Sequence, residues 1–177
     1  MSTPMTRQAT QIAVTVIGPD RPGIIADVTG ALAGAGVNLE DSTMTLLRGH
    51  FAMMLVCTGP GVAEVEAAVA PLGGELVVEV REIGPETSPA PAGAAYLLSV
   101  HGADRPGIVS AITRVVAEAG GNITDLSTRL AGTLYVLTAE VDLPATADPD
   151  AVRRDLDATA AGLGVDVTLV PAETDEL

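Results

Sequence analysis

The sequence predicts an α+β chain in which one β-α-β-β-α-β unit is used twice, each unit an antiparallel sheet with both helices on one face. Three observations carry that prediction. Asp20-Arg21-Pro22-Gly23-Ile24 recurs letter for letter as Asp104-Arg105-Pro106-Gly107-Ile108, an offset of 84 residues. At that offset Gly36 falls on Gly120, Asn38 on Asn122, Asp41 on Asp125 and Phe51 on Tyr135, with no gap. Finally, the chain has 177 residues, room for two units of about 80 residues apiece.

The elements follow in order. Met1 to Gln11 reads as a disordered tail. Ile12 to Ile17 is a β-branched run with little alternation, the mark of a central strand. The turn Gly18 to Gly23 follows. Ile24, Ile25, Val28, Ala31, Leu32 and Ala35 then form one stripe on a helix. Asp20 is placed to cap its start, with Pro22 in the first turn and Gly36 as the left-handed residue that ends it. Val37 to Leu47 and Phe51 to Thr58 are two strands joined by the tight turn Arg48-Gly49-His50. Val62, Val65, Ala68 and Val69 mark a short helix, stopped by Pro71 and Gly73-Gly74. Leu76 to Ile83 closes the first unit.

A segment with three prolines and no periodicity links the units. The second copy reads as strand Tyr96 to Val100, then a helix over Ile108, Val109, Ile112, Val115, Val116 and Ala119 stopped by Gly120. A hairpin spans Asn122 to Leu143. The last helix starts at Asp148-Pro149 and buries Val152, Leu156, Thr159 and Leu163, and a strand runs from Val165 to Val170. The division is therefore a tail over 1–10, units over 11–83 and 95–171, a linker over 84–94 and an acidic tail over 172–177. The element order is the ferredoxin-like split unit, with both helices on one face of the sheet. Phe51-Ala52-Met53-Met54-Leu55-Val56 is apolar on both faces, so the open face or an edge is expected to be covered by the other unit or another subunit.

Composition excludes several classes. The chain is 47% hydrophobic but 2% aromatic, without Trp, so its cores are aliphatic. Its net charge of −14 opposes binding to phosphate backbones and to anionic membranes. No apolar run is long enough to span a bilayer, and the first ten residues hold no apolar signal core. One cysteine, Cys57, allows no intrachain disulfide. These features lead to the expectation of a soluble cytoplasmic protein without metal or cofactor.

The loop Gly18 to Gly23 is the candidate site. It joins a strand to a helix N-terminus, where unpaired N–H groups and the helix dipole favour a carboxylate. Gly23 lets a ligand approach the backbone. Asp20 either caps the helix or holds an ammonium group, which together would suit a zwitterion. Asn38 and Asn122 read either as amides at the mouth of the same cleft or as turn residues. Ser99, His101 and Asp104 mimic nucleophile, base and orienter, but the first copy has Thr15, Ile17 and Asp20 there and no nucleophile-elbow motif surrounds Ser99. His50 reads as a solvated turn residue and Cys57 as a core residue.

A β-α-β-β-α-β unit with Asp-Arg-Pro-Gly-Ile after its first strand and Gly-(Val/Gly)-Asn opening the second resembles an ACT domain. Two in tandem resemble the stand-alone double-ACT proteins, the group that includes the glycine cleavage system transcriptional repressor. The resemblance implies a non-enzymatic regulator that binds a small amino acid at domain interfaces near the first loop. The residues it implies are Asp20, Arg21, Pro22, Gly23, Ile24 and Asn38, and Asp104, Arg105, Pro106, Gly107, Ile108 and Asn122. It also implies a homodimer and action on amino-acid metabolism or its transcription through a protein partner, an enzyme or a DNA-bound regulator, rather than by touching DNA. A detached regulatory subunit of an amino-acid biosynthetic enzyme is the alternative.

Overall fold

The computed structural model describes residues 10–84 and 93–172. Most of the expected N-terminal and acidic C-terminal tails and of the expected linker lie outside the described residues; where they are described, Thr10 and Gln11 belong to the first strand rather than a disordered tail, and Gly93 and Ala94 to the fifth strand rather than the linker, because both strands extend to pair with the full length of their neighbours. The chain divides into two compact units, 1–87 and 88–177.

In the first unit β1 (Thr10–Pro19) leads to α1 (Ile24–Gly34), then β2 (Asn38–Leu47), β3 (His50–Gly59), α2 (Val62–Val69), a 3-10 turn (Ala70–Leu72) and β4 (Val77–Glu82). The sheet order is β2-β3-β1-β4, with every neighbouring pair antiparallel. β1 is thus central, as its unbroken β-branched run requires. The second unit repeats the plan with β5 (Gly93–Ala103), α3 (Ile108–Glu118), β6 (Asn122–Ala131), β7 (Leu134–Pro144), α4 (Pro149–Leu163) and β8 (Val165–Pro171), in the order β6-β7-β5-β8.

Each unit has its own aliphatic core between sheet and helices. Val14, Val16 and Leu55 meet Ile24, Val28 and Leu32 in the first. Leu98, Val100 and Leu137 meet Ile112, Val116 and Leu156 in the second. The single Phe, Phe51, is buried in the first core; of the two tyrosines, Tyr96 is buried in the second core and Tyr135 packs against it. The buried stripes are narrower than the spacing predicts. Ile25 is 44% exposed, and α4 fully buries Ala160 as well as Val152 and Leu156, with Thr159 half-buried and Leu163 packed against the core from its rim.

Both first helices stop on a left-handed glycine, Gly36 (φ 76) and Gly120 (φ 74). The N–H groups of Gly36 and Val37 donate to the carbonyls of Ala33 and Leu32, and those of Gly120 and Gly121 to Ala117 and Val116. Those two bonds per helix satisfy carbonyls that the end of a helix leaves unpaired. The β2–β3 turn is two residues long, Arg48 (φ 50) and Gly49 (φ 78), which matches the twist of the paired strands. His50 therefore opens β3 rather than sitting in the turn, and it is exposed.

β3 alternates. Phe51, Met53, Leu55 and Cys57 point under the helices, and Ala52, Met54 and Val56 point to the open face. On that face Val77 is 71%, Ile17 54% and Met54 45% exposed.

Candidate functional site

The next-to-last residue of the strand that feeds each first loop is a glycine for steric reasons. A Cβ on Gly18 would lie 2.6 Å from Leu76 Cδ2 and 2.7 Å from the Glu75 carbonyl; on Gly102 it would lie 2.8 Å from Val165 Cγ1. The close approach fixes where each loop leaves the sheet. The Asp20 N–H then donates to the Gly49 carbonyl at 2.9 Å, tying the loop to the β2–β3 turn.

The helix starts later than expected. Gly23 (φ 89) and Gly107 (φ 93) are the residues before α1 and α3, and no side chain caps either helix. Asp20 therefore does not cap α1, and Pro22 precedes the helix instead of occupying its first turn. The cause is the left-handed glycine: it cannot be helical, so helical geometry begins only at Ile24 and Ile108. The first ladder bonds run from Asp27 N–H to the Gly23 carbonyl and from Ala111 N–H to Gly107, both 2.9 Å. Among the described residues, the N–H groups of Ile24, Ile25 and Ala26, and of Ile108, Val109 and Ser110, have no hydrogen-bond acceptor. Each loop thus leaves three donors unbonded at the positive end of a helix dipole; Ile24 and Ile108 are buried, and the donors on residues with exposed surface are those of Ile25 and Ala26, and of Val109 and Ser110.

The copies differ around those donors. Arg21 Nη2 lies 2.9 Å from Asp27 Oδ2 and its Nη1 donates to the Pro22 carbonyl at 3.3 Å. In the second copy Ala111 stands where Asp27 does, and Arg105 has no ion pair among the described residues. Its guanidinium instead lies over Gly164, 3.6 Å from where a Cβ would be, at the C-terminus of α4 where a helix dipole favours a cation.

Asn38 and Asn122 are not at the mouth of their own loops. Asn38 pairs with Thr58, which pairs with Gln11 at the start of β1, whereas Leu47, His50 and Pro19 share the row next to the loop. Asn122 pairs with Asp142 opposite Ala95, again at the far end from the loop. Eight residues of strand separate the two ends, about 26 Å at the usual rise. The length of the first helix explains this: 11 residues carry the chain about 16 Å back along the sheet before the next strand begins.

The triad-like residues do not assemble. His101 Nε2 faces Asp166 Oδ2 at 3.6 Å, so its carboxylate neighbour is Asp166 and not Asp104. Asp166 was not singled out by the sequence; only the β5–β8 register brings it there. Cys57 is fully buried, and that burial, followed by the charge of Glu40, raises its thiol pKa above the usual value. It remains a protonated core residue. Among the described residues no His, Cys, Asp or Glu cluster could hold a metal, and no helix is long and apolar enough to cross a membrane.

Comparison with known proteins agrees with the repeat. A family model described as the ACT domain matches residues 10–83 and 95–169. A UPF0237 protein of Methanopyrus kandleri is 40% identical over 75 residues, 42% of this chain and 80% of its own length. The glycine cleavage system transcriptional repressor of Escherichia coli is 28% identical over 123 residues, 67% of this chain and 64% of its own length. The crystal structure of an unknown protein from Galdieria sulphuraria is similar with a TM-score of 0.80 at 30% identity, covering 94% of this chain and all of that one. With two matched copies spanning most of its length, the chain belongs to the ACT domain family.

Proposed function

We propose that this chain is a non-enzymatic regulatory protein. It binds a small amino acid through the Asp-Arg-Pro-Gly-Ile loops and passes the ligand state to a protein partner that acts on amino-acid metabolism or its transcription. The observation that carries the ligand reading is the duplicated loop geometry: unbonded N–H donors behind a left-handed glycine in both copies, two per loop on residues with exposed surface. Such a terminus suits a carboxylate. Asp20 and Asp104, not used as caps, are available to an ammonium group. The relation to a transcriptional repressor supports a regulatory role. The net charge of −14 argues for action through a partner protein rather than through DNA.

Asn38 and Asn122 enter this reading through a second copy. Two sheets joined edge to edge about a two-fold axis run antiparallel, so the loop end of one meets the asparagine end of the other. Pairing edge strands also removes exposed ladder groups. Regulation then requires that the ligand bind two states of the assembly with different affinity.

Calorimetry of the full chain against each of the twenty amino acids tests the ligand. Saturable binding of one or a few small amino acids is expected, weakened by Gly23→Ala or Gly107→Ala. Absence of heat with all twenty at about 1 mM, a level that detects binding near −4 kcal/mol, would sink the ligand reading.

A further inference from the structure

The open faces of the two sheets match row by row and differ in chemistry. In the first unit the row beside the loop is Thr45-Ala52-Ile17-Val77 across β2-β3-β1-β4. The equivalent row of the second unit is Arg129-Val136-His101-Asp166. Farther along, Val56 and Ala13 on the central strands of the first unit stand where Glu140 and Leu97 stand in the second. The first face carries an apolar depression of about 240 Å³ with Ala52 in it, bordered by Ile17, Met54 and three threonines, and no ionisable side chain lines it. Its charges come from the edge strands: Asp41 and Glu40 on β2, Glu40 accepting from Gln11 Nε2 at the end away from the loop, and Glu79 ion-paired with Arg81 on β4.

We propose that this open face of the first unit is a homodimer interface, packed face to face on the same face of a second copy, distinct from the edge pairing proposed above. Self-complementarity identifies the occupant. A two-fold axis along the strands, between β3 and β1, lays β3 on the partner copy's β1 and β2 on its β4. Large residues then meet small ones. Ile17 faces Ala52, Met54 faces Thr15, and Val56 faces Ala13. At the corner Asp41 faces Arg81, which Glu79 on its own strand already pairs, so the contact joins a second carboxylate to that guanidinium and is made twice by symmetry. An isologous interface needs this match of one surface to itself, and two sheets stacked this way lie about 10 Å apart. The same operation on the second unit sets Glu140 against Leu97 and leaves that carboxylate buried without a partner, which is costly. The second face is therefore not suited to the same pairing.

Sedimentation of the full chain over a range of concentrations tests the assignment. The wild type is expected to associate, and Met54→Glu to halve the mass of the assembly at equal concentration. Thr138→Glu, the equivalent change on the second face, should leave the mass unchanged. Arg81→Asp should weaken association, and Asp41→Arg with Arg81→Asp should restore it. Circular dichroism confirms that each variant folds, which the exposure of these side chains favours. A monomeric wild type at about 100 μM, a level ample for micromolar association, overturns the proposal. So does an assembly unaffected by Met54→Glu, or a double charge swap that fails to recover association. Amino-acid binding by folded Met54→Glu reports on the ligand reading separately.

Discussion

Asp20 and Asp148 hold similar places in the sequence, each shortly before a helix and close to a proline. Only Asp148 caps: its Oδ1 accepts from the Asp150 N–H at 3.0 Å, with Pro149 as the first helical residue. Asp20 is separated from the helix by the left-handed Gly23. Asp148→Ala is expected to cost about 1 kcal/mol, the usual value of a side-chain cap. Asp20→Ala should change stability by no more than about 0.5 kcal/mol, as at an ordinary surface position. Urea denaturation of both variants checks the contrast, and equal losses would restore Asp20 as a cap. The distinction was not legible in the sequence, because Asp-x-Pro-Gly is compatible with a helix that begins at Arg21 or at Ile24. What decides is the φ of Gly23, and composition does not reveal it.

At the level of elements, the β2–β3 hairpin shows a place where the chain is not optimised. Arg48 is the only described non-glycine residue with positive φ. A side chain there crowds its own carbonyl, a cost of roughly 1–2 kcal/mol that asparagine and glycine largely avoid. Arg48→Asn should therefore stabilise the protein by about 0.5–1 kcal/mol, read as an upward shift of the urea midpoint; a lower midpoint would mean that Arg48 makes contacts worth more than its strain. The hairpins and the helix ends were legible, since Gly49, Gly36 and Gly120 each mark a sharp local requirement. The placement of Asn38 was not. Its neighbours in sequence suit a turn, but its distance from the loop follows from helix length and strand register together. The open face was half legible. The run from Phe51 to Val56 announces two apolar faces, yet the contrast with Arg129, Glu140 and Asp166 appears only once the strands are in register.

For the whole molecule, the repeat means two cores rather than one. No described residue is shared between the clusters around Leu55 and Leu137. Small cores are thin, so each deletion is felt locally. Leu55→Ala removes a fully buried side chain from the first core and should cost that unit about 2–5 kcal/mol. Amide hydrogen exchange is expected to show lost protection over β1, β3 and α1, with β5, β7 and α3 unchanged; equal loss in both units would show that they unfold as one. Duplication also lets the copies diverge. The helix starts are kept in both, whereas the open faces and the Arg21 and Arg105 surroundings are not.

The placement of the aromatic residues has a practical consequence. Both tyrosines lie in the second unit, and the first has only Phe51. Without tryptophan, ultraviolet emission from this protein is tyrosine emission, and it comes from the second unit alone. An unfolding curve followed optically at those wavelengths is blind to half of the chain. Melting of the first unit, or closure of its sheet face on another copy, would pass unseen unless a reporter were placed there.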